Sequence, residues 1–326
     1  MTAVRVLSGL AAVLGLAWLG QRWAEARDRR AFPAPGTFVT VDGVVLHVVV
    51  TGSGPTVLLD SGLGGCSDEW HLVAAELERT CTVVRYDRPG FGWSPAADGR
   101  GPEAVARRIR GLLDALGLPG PAVLVGHSMG GLHVRLTASL YPDAVAALVL
   151  VDPSHEDMLD GDVPAAARVV ERVLKAFAAA SPFGVARVGG RLYGKVVAGQ
   201  ARREPDEETR AMSRRQTLLT LCSVRGMRAV ATEMVAVAED LQEVRELTAT
   251  HPVPPLPLIV ISAAAEPRTD AERQAQQTMR ELHAKHAALS PQGRQVLAER
   301  SGHLVVLDEP ELVAECVRGV LAEVTS

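Results

Sequence analysis

Aromatic side chains are scarce in this sequence, where Phe, Trp and Tyr together make up 4% of 326 residues. A stacking platform for single-stranded nucleic acid needs several exposed rings. There is also no surplus of positive charge, because 34 basic and 38 acidic residues give a formal net charge of −4 at pH 7. Such a chain has no general attraction to a phosphate backbone. We therefore expect no nucleic-acid partner.

Cysteine is sparse as well, and its four copies stand far apart, at Cys66, Cys81, Cys222 and Cys316. Without a CxxC pair, neither a zinc knuckle nor a disulfide framework is predicted, so the thiols are expected to be small apolar fillers. An acidic run after residue 151 contains side chains of the kind that bind a hard cation, namely Asp152, His155, Glu156, Asp157 and Asp160. The acidic start of a helix explains this run better. We expect neither a metal nor a cofactor.

Long apolar runs are limited to one segment, residues 6–20, in which Ser8 is the only polar residue. As a helix this run spans roughly 22 Å, against about 30 Å for a hydrocarbon core. Extended to residues 2–21, it predicts a membrane anchor. One arginine precedes the run and four follow it, which places the downstream domain in the cytoplasm. A cleaved signal peptide and secretion remain the alternative, because residues 24–26 have the A-x-A form.

Apolar strands alternate with amphipathic helices through most of the remaining sequence. Buried strands are predicted at residues 56–60, 82–86, 122–125, 145–151 and 256–263. This alternation is typical of a mostly parallel, doubly wound sheet with helices on both faces. It stops in the middle of the chain, where the sequence favours helix and loop. The predicted domains are an N-terminal anchor and linker (1–31), an α/β core (32–152 and 256–326) and a helical cap (153–255).

A GxSxG pentapeptide, Gly126-His127-Ser128-Met129-Gly130, stands between the predicted strand at 122–125 and a predicted helix at 129–141. A serine on so sharp a turn needs small neighbours, because the backbone brings other segments close. The helix that follows places its positive N-terminus beneath the serine, which favours developing negative charge. Ser128 is therefore the candidate nucleophile.

With these residues the sequence resembles the α/β-hydrolase superfamily from about Val39 to the C-terminus. The matching motifs stand in the family's order: 60–65 after the third strand, 86–94 after the fourth, the pentapeptide, and Ser301-Gly302-His303 near the end. The resemblance is greatest to serine hydrolases of the esterase, proline-iminopeptidase and haloperoxidase-like group. It implies the α/β-hydrolase fold, with the cap between strands 6 and 7. One departure is Ser61-Gly62, where the family usually has His-Gly.

A serine hydroxyl needs an adjacent base that is oriented by a carboxylate. The resemblance places the base at His303, in the loop after the last strand, and the order Ser…acid…His agrees. Two acids stay open, Asp152 at the end of strand 145–151 and Glu266 after strand 256–263. Asp152 is favoured because a short side chain on a strand end is held more rigidly. His283 and His286, on a polar helix, are expected to be solvated.

The resemblance also assigns the oxyanion hole to the backbone N–H groups of Leu63 and Met129. The predicted function is a serine hydrolase that cleaves an ester, thioester or amide of a small to medium substrate through an acyl-enzyme. Two alternatives remain. One is an acyltransferase or perhydrolase, in which another acceptor replaces water; the other is a non-catalytic ligand-binding protein on the same scaffold. The sequence determines neither the substrate nor the oligomeric state.

Overall fold

An eight-stranded sheet organises the chain in the computed structural model, which describes residues 2–118, 120–159 and 165–325. The strands are β1 (Thr37–Val41), β2 (Val44–Gly52), β3 (Thr56–Asp60), β4 (Thr82–Tyr86), β5 (Ala122–His127), β6 (Val145–Val151), β7 (Leu258–Ala263) and β8 (Gly293–Ala298). The helices are α1 (Thr2–Ala31), α2 (His71–Leu77), α3 (Pro102–Leu116), α4 (Met129–Leu140), α5 (Ala165–Ala180), α6 (Val185–Ala198), α7 (Glu207–Gln216), α8 (Val224–Thr250), α9 (Asp270–Ala287), α10 (Val305–Asp308) and α11 (Pro310–Thr325).

The strand order is β1-β2-β4-β3-β5-β6-β7-β8. β2 is antiparallel to both of its neighbours, and every other pairing in the sheet is parallel. The hairpin between β1 and β2 turns at Asp42 and Gly43, both at positive φ (51° and 76°). Two successive residues at positive φ match the right-handed twist of paired strands.

Side chains of the central strands alternate between two apolar layers, because successive residues of a strand point to opposite faces. Val123 and Val125 of β5 pack in the layer covered by α2 and α11. Ala122 and Leu124 of the same strand pack in the layer that includes residues of α3 and α4. Strands buried on both faces must be apolar throughout. The predicted doubly wound α/β fold is confirmed.

Four helices, α5 to α8, lie between β6 and β7 and form the cap. The sequence indicates two of them, α5 and α8, whereas α6 and α7 were not identified. A wide helical turn at Thr217–Leu221 precedes α8, and Ser223 caps α8 by accepting a hydrogen bond from the N–H of Gly226 at 3.0 Å.

The predicted membrane anchor at residues 2–21 is wrong. Within the described part of the chain, no helix combines the length and the apolar character that crossing a bilayer requires. The apolar stretch of α1 ends at Gln21 and Arg22, and the rest of the helix is rich in charged side chains. The localisation inferred from the anchor fails with it.

The second half of α1 packs onto the cap. Gln21 and Asp28 are buried there. The Gln21 side chain donates to the carbonyl of Cys222 at 2.9 Å, and Asp28 pairs with Arg187 of α6 at 2.8 Å. Just beyond the helix, the carbonyl of Phe32 accepts a hydrogen bond from the Trp93 indole of the core at 3.1 Å. The second half of α1 and the residue that follows it therefore link the cap to the core.

Candidate active site

Ser128 stands between β5 and α4 with φ 54° and ψ −120°, a left-handed backbone conformation that is strained for a residue with a side chain. The two glycines of the pentapeptide make the turn possible. A Cβ on Gly126 would lie 2.3 Å from the carbonyl oxygen of Gly130, and one on Gly130 would lie 2.3 Å from that of Asp60. Larger residues at either position would force the turn apart.

His303 and Asp152 meet at the carboxyl edge of the sheet, although 151 positions separate them. The His303 Nδ1 donates to Asp152 Oδ2 at 2.7 Å, and the other carboxylate oxygen accepts from the backbone N–H of Ala263 at 2.9 Å. Burial opposes ionisation of this carboxyl, yet the hydrogen bond and charge of His303 hold the pKa of Asp152 below its ordinary value. Asp152 is thus a fixed anion that orients the ring.

The Ser128 hydroxyl makes no hydrogen bond to His303 among the described residues, but both side chains line one cavity. Bonds between catalytic groups often tighten only when substrate binds. With Nδ1 held by Asp152, Nε2 is the His303 nitrogen left for proton exchange.

Glu266 lies on the exposed surface of the loop after β7, and within the described residues no hydrogen bond or ion pair engages it. The structure therefore brings Asp152, rather than Glu266, to His303.

The two predicted oxyanion donors are free. Among the residues that the structure describes, neither the N–H of Leu63 nor that of Met129 has a hydrogen-bond acceptor. Leu63 lines the cavity beside Ser128, and Met129 is the first residue of α4. Two unpaired N–H groups next to a serine can receive the negative charge of a tetrahedral intermediate.

A buried arginine that sequence reasoning missed sets the direction of the Leu63 N–H. Arg88 donates to the carbonyls of Ser61 and Gly62 at 2.6 and 2.7 Å. The C=O and N–H of a trans peptide point in opposite directions, and the described peptide bonds are all trans. Because Arg88 holds the Gly62 carbonyl, the Leu63 N–H points away from Arg88.

Two carboxylates pair with Arg88. Asp60 at the end of β3 and Glu233 of α8 each approach the guanidinium to 3.1 Å. Asp60 also accepts a hydrogen bond from His133 at 2.7 Å, and Glu233 accepts one from the N–H of Gly64 at 3.3 Å. Glu233 belongs to the cap, more than 140 positions from Arg88, so no local pattern could have revealed this cluster.

His283 and His286 are buried rather than solvated, contrary to the sequence-based expectation. His283 Nε2 donates to the carbonyl of Pro153 at 2.8 Å, and His286 Nε2 donates to that of Ser154 at 3.0 Å. Burial lowers the pKa of both imidazoles, so they are neutral. They hold the chain that follows Asp152.

Ligand atoms of His155, Glu156 and His286 lie within 4.8 Å of one another. The cation at this cluster is a side chain, Arg135, whose guanidinium donates to both Glu156 oxygens at 3.0 and 2.8 Å. Its Nη1 also lies 3.4 Å from Nδ1 of His286. The cluster is therefore a buried ion pair with two neutral imidazoles. Asp160, the last residue of the acidic run, lies outside the described residues.

A cavity of about 300 Å³ opens over Ser128 and His303. Its core wall is the loop 62–65 with Glu69 and His127, and its cap wall comes from α6, α7 and the turn before α8. Apolar cap residues that line it are Val197, Met212 and Leu221. The volume suits a small to medium organic molecule.

The parallel sheet, the serine turn and the imidazole–carboxylate pair at the carboxyl edge define a class of α/β enzymes with a nucleophile elbow. A family model described as the alpha/beta hydrolase fold matches residues 55–310. The chain belongs to the α/β-hydrolase family.

Curated relatives match part of the chain. A putative carbamate hydrolase, RutD of Variovorax paradoxus (strain S110), is 43% identical over 112 residues, which are 33% of this chain and 42% of the relative. The sn-1-specific diacylglycerol lipase ABHD11 of Mus musculus is 36% identical over 137 residues, 41% of this chain and 40% of the lipase. The chain thus matches about two fifths of the length of these relatives.

Solved structures match more fully. A thermophilic esterase from Thermogutta terrifontis superimposes with a TM-score of 0.65 and 25% identity, covering 89% of this chain and all of the esterase. The enol-lactonase from Burkholderia xenovorans LB400 superimposes with a TM-score of 0.62 and 21% identity, covering 88% of this chain and 100% of its own. The second likeness shows the fold alone.

Proposed function

We propose that this protein is a serine hydrolase that cleaves an ester, thioester or amide of a small to medium substrate through an acyl-enzyme. The observation that carries the proposal is the 2.7 Å contact between His303 Nδ1 and Asp152 Oδ2 beside the cavity that Ser128 lines. This contact leaves the imidazole in the tautomer that accepts a proton at Nε2.

The mechanism follows from these positions. The Ser128 oxygen attacks the substrate carbonyl carbon while its proton passes to His303 Nε2. The N–H groups of Leu63 and Met129 stabilise the resulting oxyanion. The tetrahedral intermediate then expels the alcohol, thiol or amine, which takes the proton from His303. Water attacks the acyl-enzyme in the same way, releasing the acid and restoring Ser128.

The relatives support a carbonyl substrate, because they are named for hydrolysis of a carbamate, a diacylglycerol or an ester. The described cavity lining includes neither lysine nor arginine, so a neutral acyl group suits the site better than an anionic one. We therefore expect activity on p-nitrophenyl esters of neutral acids.

The test is Ser128→Ala, with Ser53→Ala, at an exposed serine, as the matched control. Loss of the nucleophile should lower turnover at least about a thousandfold and abolish labelling by a fluorophosphonate, whereas the control keeps both. Retention of more than about a tenth of the wild-type rate by the folded Ser128→Ala protein would contradict the mechanism. Product analysis with added alcohols or peroxide separates hydrolysis from acyl transfer and perhydrolysis.

A further inference from the structure

A second histidine–carboxylate contact lies beside the proposed catalytic residues Ser128, His303 and Asp152. His127 directly precedes Ser128, and its Nδ1 lies 2.5 Å from Oε1 of Glu69. The other ring nitrogen, Nε2, lies 2.9 Å from the backbone carbonyl of His303. Both side chains are largely buried, with 4% of His127 and 11% of Glu69 exposed.

The partners of His127 define its protonation. A carbonyl oxygen only accepts hydrogen bonds, so Nε2 carries a proton. The Glu69 carboxylate is an acceptor when ionised, so Nδ1 carries one too. Burial opposes the charge, but the Glu69 carboxylate raises the pKa of His127 above its ordinary value. The pair is therefore an imidazolium and a carboxylate, with no net charge.

The pair joins three segments that the proposed reaction needs together. Glu69 also accepts a hydrogen bond from the N–H of Gly62 at 3.3 Å, and Gly62 directly precedes the oxyanion donor Leu63. His127 belongs to the elbow of Ser128. Through the His303 carbonyl, the pair reaches the loop of the base. His303 is thus held twice, by Asp152 at its ring and by His127 at its backbone.

The fit between these segments is close. A Cβ on Gly62 would lie 3.2 Å from His127 Nδ1, and one on Gly65 would lie 2.0 Å from Glu69 Oε2. The indole of Trp70 stands edge-on to the His127 ring at 6.5 Å between centroids. The ring of His127 therefore has little freedom to turn.

Few other charges face the pair. The ring of His303 lies 4.8 Å from that of His127 between centroids, and Asp152 contributes a further negative charge from the loop after β6. Both carboxylate oxygens of Asp68, next to Glu69, accept hydrogen bonds from Arg215 of α7, and the guanidinium neutralises the charge of Asp68. Loss of the His127 charge would therefore leave Glu69 as an additional uncompensated anion near His303.

We infer that Glu69 and His127 are positioning residues, which fix the backbone of His303 and the Gly62–Leu63 segment relative to Ser128 and keep the surroundings of the base neutral. This inference rests on the proposed function, because it concerns the same reaction.

Three substitutions separate the two roles. His127→Asn keeps an amide facing Glu69 but loses the donor to the His303 carbonyl, whereas the longer His127→Gln restores that donor. Glu69→Gln removes the negative charge. An amide nitrogen in place of Oε1 can donate to Nδ1, so the imidazole still donates from Nε2, but the N–H of Gly62 loses its acceptor. His251→Asn, at an exposed histidine in contact with its own helix end, is the control.

We expect His127→Asn to lower kcat tenfold to a hundredfold, on the order that a small misplacement of catalytic groups produces, with KM within about twofold. His127→Gln should recover most of kcat. Glu69→Gln should lose less kcat than His127→Asn, because it keeps the donor to the His303 carbonyl and loses only the acceptor of the Gly62 N–H. Both His127 variants leave Glu69 as an uncompensated anion beside the site, and an added negative charge stabilises cationic groups near it. Because the base must be neutral, the acid limb of kcat/KM should move to higher pH by about half a unit or more. Glu69→Gln should not move it.

An unchanged kcat in His127→Asn overturns the inference. So do equal losses in both His127 variants with an unmoved acid limb, because that result indicates packing alone. Circular dichroism establishes whether each variant folds. If His127→Asn does not fold, the acid limb of kcat/KM in His127→Gln, compared with that in Glu69→Gln, still tests the inference. The Ser128→Ala protein is assayed in parallel. If it stays active, the proposed function fails; if it is inactive and the pair variants are unaffected, only this inference fails.

Discussion

Asp152 and Glu266 differ in what surrounds their carboxylates. The N–H of Ala263 fixes one oxygen of Asp152. In Asp152→Asn it therefore keeps the amide oxygen on that side and turns the amide nitrogen towards His303. Two donors would then face each other, so the imidazole adopts the tautomer that cannot accept the Ser128 proton.

We expect Asp152→Asn to reduce kcat by roughly 10⁴-fold with little change in KM, because the acid does not touch the substrate. Glu266→Gln, at an exposed carboxylate, should leave kcat within about twofold and serves as the control. Steady-state kinetics of both folded variants decides. A near-inactive Glu266→Gln beside an active Asp152→Asn would reverse the assignment.

Single residues also show how far the sequence alone can lead. Ser128 and His303 can be proposed from the sequence because a glycine spacing and a loop position mark them locally. Asp152 could be favoured only over one rival, since its partner comes from a different loop. The contacts of Glu69 with His127 and of Arg88 with Glu233 join positions 58 and 145 apart. Such pairs are created by the tertiary fold.

At the scale of elements, the glycines of α6 explain why this helix escaped prediction. Gly189, Gly190 and Gly194 lower the helix propensity of the segment. In the fold they allow close packing: a Cβ on Gly190 would lie 2.3 Å from the carbonyl oxygen of Leu221, and one on Gly189 would lie 2.1 Å from the Phe177 ring. Tertiary contact outweighs propensity here. The expectation that His283 and His286 of α9 are solvated was wrong for the same reason. Which side of a polar helix is buried depends on the elements that pack against it.

Helix α1 gives a prediction at this scale. The buried pair of Asp28 with Arg187 of α6 attaches α1 to the cap wall of the cavity. Asp28→Ala leaves Arg187 without that partner, which should weaken the attachment. Hydrogen exchange measured by mass spectrometry should become on the order of tenfold faster in α6 and around Cys222. Leu16→Ala, on the exposed half of α1, is the control and should leave the exchange rates of both regions unchanged. Equal exchange rates in the two variants would show that α1 does not support the cap.

At the scale of the whole molecule, the cavity between cap and core limits the substrate. A volume of about 300 Å³ accommodates a butyryl ester better than a palmitoyl ester. We expect kcat/KM on p-nitrophenyl butyrate to exceed that on the palmitate at least about tenfold, measured below the micelle concentration of the longer ester.

Two adjacent valines of α6 test whether the cap wall sets this limit. Val197 lines the cavity, whereas Val196 is 62% exposed. Val197→Ala should improve the longer acyl chain relative to butyrate, since removing two methyl groups enlarges the space. Val196→Ala should leave the ratio unchanged. The same chain-length profile in both variants would place the acyl group elsewhere.

The shared charge cluster of Arg88, Asp60 and Glu233 has a consequence for how substrate enters. Glu233 is part of the cap, whereas the arginine and Asp60 belong to the core. Swinging α8 away would break the contact of buried Arg88 with Glu233, and breaking a buried pair is strongly unfavourable. It would also release the N–H of Gly64 from Glu233. We therefore expect molecules to reach Ser128 through small side-chain movements at the mouth of the cavity, with α8 remaining seated throughout turnover.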